Sequence, residues 1–224
     1  IGTALSGGSV FCSSARTPSA GVIMHSGTTI SSSLATGTSA GEQGGGAIKS
    51  ILCDIHLVGT ALVENFALSG NGGAVLLGNG GVLNATNRTV FKGNRASSGS
   101  GGALACDECK SVDLQEDTLF ENNVAKTHGG AVRIFDVGAQ TTHSSSSTFR
   151  GNTAEKGDGG AVYMFQPLEK SNHWRSSSGD VFQENTALSG SGGAIYTAGT
   201  KVILENGTDC SNNRARNGGG GCIM

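Results

Sequence analysis

Phe91-Lys-Gly-Asn94-Arg-Ala96-Ser-Ser-Gly-Ser-Gly101-Gly102-Ala103-Leu104 joins two motifs, Phe-x-x-Asn-x-Ala and Gly-Gly-Ala-aliphatic, in fixed phase. Both recur along the chain. The first motif begins at Phe91, Phe120, Phe149 and Phe182, and Leu62 and Cys210 open variant copies of it. The second begins at Gly45, Gly72, Gly101, Gly129, Gly159 and Gly192. Gly220-Gly221-Cys222-Ile223 is a degenerate copy and Gly7-Gly8-Ser9-Val10 a worn one. The intervals from Gly45 onward are 27, 29, 28, 30, 33 and 28 residues, a period that marks a repeat architecture.

Helical repeats need apolar residues at 3.6-residue spacing, and these segments lack it. Their apolar runs are short and strand-like, such as Ala74-Val75-Leu76-Leu77, Thr89-Val90-Phe91 and Val202-Ile203-Leu204, and Gly and Asn punctuate them. Three short strands and their turns fill one period. The predicted fold is therefore all-β, a parallel β-helix (solenoid) of about seven to eight coils. Equivalent residues of successive coils then stack. Phe91, Phe120, Phe149 and Phe182 are expected to form an internal aromatic stack. Asn65, Asn94, Asn123, Asn152, Asn185 and Asn213 are expected to form an amide ladder at a tight bend. The motif is thus read as scaffold. Residues 1–224 read as a single β-helix domain, with 1–44 an irregular first coil and 45–224 the regular coils, and as a segment of a longer chain.

Composition narrows the function classes. The chain has 224 residues, 38 glycines, 14% charged residues and a formal net charge of -2. That charge gives no ground for nucleic acid as a partner. No run approaches the roughly 18 apolar residues of a membrane helix. The glycines have no three-residue period, which excludes collagen. Six cysteines and the sequons at Asn84, Asn87 and Asn206 point to an oxidising, extracellular or cell-surface setting, with those asparagines as glycosylation sites. Six cysteines permit fifteen pairings. Their phase along the repeat favours Cys12 with Cys53, Cys106 with Cys109, and Cys210 with Cys222.

The two motifs together resemble the repeat of the chlamydial polymorphic outer membrane protein family, as in Gly72-Gly73-Ala74-Val75 with Phe91-Lys-Gly-Asn94. The resemblance covers about residues 45–224. It implies a right-handed β-helix exposed on a surface and used in adhesion. Similar repeats occur in secreted proteins of algae and other protists. The chain departs from the family in showing no series of alternating barrel strands and in carrying sequons that a bacterium would leave idle.

Catalysis needs aligned polar residues over several coils, whereas the ladders legible here are Phe, Asn, Ala and Gly. No catalytic residue, metal ligand or cofactor is predicted. His128 and Asp158 each precede a glycine pair in adjacent coils and read as a salt bridge on a turn. Cys106-Asp-Glu-Cys109 lacks the second pair that a zinc site needs. The longest variable segments carry His143, His173, Trp174 and Arg175, the candidate ligand-binding residues. Trp174 reads either as an exposed platform for a sugar or a protein contact, or as a lid folded over its coil. The expectation is a non-enzymatic extracellular or cell-surface protein with a structural or adhesive role, including as part of a rod or filament. Its expected partners are other protein chains, copies of itself included, or cell-surface glycans. The alternative is a carbohydrate-binding or polysaccharide-active β-helix that uses the loops around His143 and Trp174.

Overall fold

The computed structural model describes residues 2–5, 7–14, 21–38, 43–135, 142–166 and 173–224. A single coil shows the plan. After Gly72-Gly73-Ala74, the chain forms strands Val75–Gly78, Val82–Thr86, Val90–Lys92 and Arg95–Ala96. Each pairs in parallel with its counterparts one coil earlier and one coil later. Repetition gives four parallel sheets of seven, seven, seven and eight strands. They are called here the first to fourth faces, in chain order from the glycine pair. Adjacent strands of a sheet lie ~4.8 Å apart, so seven coils form a rod of about 30 Å.

The fourth face is one more than the three strands expected, and its cause is local. The residue before each motif Asn, and before Ser33 in the first coil, has positive φ: Ser32, Glu64, Gly93, Asn122, Gly151, Glu184 and Asn212 lie between 51° and 66°. One left-handed residue turns the chain sharply, so Asn-x-Ala is already extended and pairs as a two-residue strand.

The interior follows the motif. Ile30, Leu62, Phe91, Phe120, Phe149, Phe182 and Cys210 form one register column. The four Phe rings stack with centroids 4.5, 4.9 and 4.8 Å apart and planes within 4°. Phe lies flat here because the coil spacing matches the offset-stacking distance of aromatic rings. Beside them runs the asparagine ladder. Asn123 Oδ1 accepts from both the backbone N and the Nδ2 of Asn94, each at 3.0 Å. Its own Nδ2 donates to Phe91 O at 2.9 Å and to Asn152 Oδ1 at 3.0 Å. The same pattern recurs at Asn65, Asn94, Asn152 and Asn185. A bend that would otherwise bury unpaired backbone groups is thereby satisfied.

The glycine pair is fixed by space as well as by φ. Gly101 has φ +65°. A Cβ on Gly102 would lie 2.1 Å from Gly130 O of the next coil and 2.6 Å from the Val124 backbone. Three disulfides close the described cysteines: Cys12–Cys53 across the first two coils, Cys106–Cys109 within one turn, and Cys210–Cys222 at the last coil.

Candidate functional site

With the motif residues turned inward, function falls to the outward half of each strand. On the second face, alternation buries Ile55 and Leu57, Leu83 and Ala85, and Val112 and Leu114. The residues between them face out and share one register column. His56 is level with Asn84, Asn84 with Asp113, Asp113 with His143, and His143 with Arg175. Ile23 and Ile203 flank this polar run. Five polar side chains are thus aligned over five successive coils, where no outward polar ladder was expected. Sequence reasoning missed it because no member is the same residue type as the one before it. The signal was the interval: the five positions are 28, 29, 30 and 32 residues apart, in step with the glycine pairs.

The ladder is internally bonded. Turned so that its oxygen accepts from His56 Nδ1 at 3.1 Å, the Asn84 amide donates to Asp113 Oδ2 at 3.2 Å and to Leu83 O at 3.3 Å. Burial pushes the Asp113 carboxyl above the usual aspartate range, and the charge of His143 pulls it partly back. A cleft of about 420 Å³ opens over these groups, lined by His56, Val58, Asn84, Thr86, Asp113 and Gln115. Its single formal charge is the Asp113 carboxylate. At the far end of the ladder, Arg175 is held by Glu205, its Nη2 3.0 Å from Oε1. Among the described residues, no group of three His, Cys, Asp or Glu side chains is placed to hold a metal ion.

The four candidate ligand-binding residues part company. His143 lies on strand Thr142–Ser144 and Arg175 on His173–Ser176, both in the outward ladder. His173 opens the latter strand and is half-buried. Trp174 corrects both readings offered for it, being neither platform nor lid. It is fully buried, edge-on to Phe149 at 5.9 Å, in the inward column of the second face. The small Thr142 beside it in that column makes room for the indole. The remainder of both variable segments, 136–141 and 167–172, lies outside the described residues.

The other candidate positions have plain geometry. Asn87 and Asn206 sit exposed at turns, with φ 53° and 43°. Asn84 sits mid-strand with its amide committed to the ladder. His128 Nδ1 lies 3.5 Å from Asp158 Oδ2 but accepts the Asp158 backbone N–H at 3.1 Å. A nitrogen that accepts carries no proton, and burial lowers the His128 pKa, so this contact is a neutral hydrogen bond more than the expected salt bridge.

An aromatic stripe on the first face was also not foreseen. Phe135 stacks on Phe165 and Tyr163 on Tyr196, both at 5.4 Å, and the Arg133 guanidinium caps Phe135 at 4.7 Å. Pairwise stacking covers one face of each ring, and Arg133 and His128 cover the second face of Phe135 and Tyr163. Phe135 and Tyr163 are therefore poorly suited to stacking on a sugar, which needs an open face.

No helix among the described residues is long and apolar enough to cross a membrane. Searches of the curated proteins and of the solved structures each found no match. Residues 88–107, 117–134, 146–164 and 181–198 match the family model of the Chlamydia polymorphic membrane protein repeat, so the chain carries that repeat in four successive coils of its β-solenoid.

Proposed function

We propose that this chain is a non-enzymatic recognition rod, displayed outside the cell or on its surface, with an adhesive or structural role toward other protein chains or glycans. One observation carries the reading. The inward Phe and Asn columns repeat one residue over four and six coils, whereas the outward column of the second face runs Ile23, His56, Asn84, Asp113, His143, Arg175, Ile203. A constant scaffold with a varied exterior is how repeat proteins build binding surfaces. The disulfides support an oxidising compartment. The repeat match supports surface display.

The test is adhesion of beads coated with the purified, oxidised chain to cultured cells and to extracellular matrix. Adhesion above that of uncoated beads is expected, and it should fall at least several-fold when His56, Asp113 and His143 are replaced together by Ala. Adhesion unchanged by that triple variant would defeat the recognition role of this face. Hydrolytic or eliminative release of sugar ends from polysaccharides by the wild-type chain would defeat the non-enzymatic reading.

A further inference from the structure

We propose that the cleft over His56, Asn84 and Asp113 binds a neutral, hydroxyl-rich saccharide lying along the rod. The proposal rests on the reading of this face as a recognition surface. The cleft volume of about 420 Å³ falls within the range of small-molecule sites. Its chemistry sets the class. Apart from Val58 and the Thr86 methyl, the lining offers polar groups: an imidazole, two amides, a hydroxyl and a carboxylate. Such a wall is poor for an apolar ligand.

Charge decides against an anion. No Lys or Arg lines the cleft, and the one carboxylate would repel a uronate or a sulfate. The ladder's one arginine, Arg175, lies two coils from Asp113 and is already engaged by Glu205.

The internal bonding of the ladder fixes what is left for a ligand. His56 Nδ1 and Asp113 Oδ2 are taken up by the Asn84 amide. His56 Nε2 then stands as an acceptor, and Asp113 Oδ1 keeps its lone pairs, while Gln115 and Thr86 can both give and receive. An acceptor-rich wall of alternating groups suits the vicinal hydroxyls of a sugar. Asp113 is half-buried and gains most from such a donor, because a hydroxyl replaces water that burial has removed. Coil spacing of ~4.8 Å also places successive ladder groups at about the length of one sugar unit in an extended glycan.

The test is calorimetric titration of the oxidised chain, with Asn84 shown unmodified by intact mass. The probes are the neutral hexasaccharides of β-1,4-linked glucose, mannose and N-acetylglucosamine, and hexagalacturonate as the anionic counterpart. At least one neutral probe is expected to bind with Kd below about 1 mM. Asp113→Ala and Asn84→Ala should each weaken it ten-fold or more with unchanged thermal midpoints. Tyr163→Ala, on the first face, should leave it within two-fold. Absence of binding by every neutral probe to about 10 mM, tighter binding of the uronate, or retained affinity in Asp113→Ala would each overturn the proposal. Adhesion that persists without saccharide binding would defeat the cleft assignment and leave the rod's surface role standing. Saccharide binding without adhesion would do the reverse.

Discussion

Asn123 makes four side-chain hydrogen bonds with no solvent to replace any of them. Asn123→Ala would strip acceptors from Asn94 and donors from Phe91 O and Asn152 Oδ1. Each buried group left unpaired costs about 1–3 kcal/mol, so a loss of at least ~3 kcal/mol is expected in urea unfolding. A loss under about 1 kcal/mol would mean that water enters the bend. Asp180 is the opposite case. It is buried, accepts from Ser147 N–H at 2.8 Å through Oδ1, and leaves Oδ2 without a partner. Burial raises its pKa, with the Ser147 N–H and the Ser176 and Ser144 hydroxyls offsetting part of the rise. A carboxyl whose folded pKa is raised binds its proton more tightly when folded. Its ionisation therefore costs nothing at pH 3, and the cost grows as pH climbs through the usual value of 3.8 to the raised one. Asp180→Asn keeps the Oδ1 acceptor and adds a donor toward Ser144. It should stabilise the chain by about 1 kcal/mol at pH 7 and by nothing near pH 3. Urea midpoints at the two pH values check this, and a less stable variant at pH 7 would show that the ionised form is used. At this scale the sequence was legible wherever identity repeats, as in the Phe and Asn columns. Trp174 was not legible. Its inward column is otherwise Val22, Ile55, Leu83, Val112, Thr142 and Val202, and one indole among aliphatics carries no repeat signal.

The element on which the coil depends is the one-residue bend before each motif Asn. Glu64 and Glu184 hold φ 51° and 59° there, at positions where Gly93 and Gly151 stand in other coils. A left-handed conformation costs a residue with Cβ roughly 1–2 kcal/mol, and glycine escapes it at some entropic cost in the unfolded chain. Glu184 is exposed. Glu184→Gly is therefore expected to stabilise by about 0.5–1 kcal/mol, read as a rise in thermal midpoint. A fall would mean that the glutamate side chain contributes more than its backbone costs. Gly102→Ala provides the contrast. Its Cβ has backbone on two sides and no side chain that can give way. The two coils would have to part, and that variant should lose far more than a single φ penalty. The repeat made the strands and their order readable. The fourth face was hidden because a turn of one residue leaves no stretch of turn-forming sequence, only a Glu, Asn, Ser or Gly before the Asn. The polar ladder was hidden for a related reason, since register across coils had to be laid out before His56, Asn84, Asp113 and His143 came level.

At the scale of the whole rod, the strands of each coil pair only with those of its neighbours, so stability is largely a sum of coil and interface terms, and opening can begin at either end of the 224-residue chain. Burial shows the gradient. Strands Val75–Gly78 and Val132–Phe135 bury alternate residues fully, whereas Lys201–Leu204 and Asp209–Ser211 bury none. Two of the three disulfides sit where the gradient is lowest. Cys12–Cys53 spans 41 residues and Cys210–Cys222 spans 12, loop lengths that correspond to about 4 and 3 kcal/mol of chain entropy removed from the unfolded ensemble. Cys106–Cys109 spans three residues within the middle of the rod and adds little closure. Hydrogen exchange of the oxidised chain should therefore show its strongest protection over residues 75–135, 142–166 and 173–187. Reduction should speed exchange first in residues 10–14, 21–38, 43–67 and 195–224, by about 10²-fold or more, before the central amides respond. Reduction that instead accelerates all amides together would mean the rod opens as one cooperative unit, with the interfaces between coils stronger than the coils themselves. Protected ends after reduction would place the stability of the terminal coils in their backbone ladders, with the two bridges serving only to resist proteolysis.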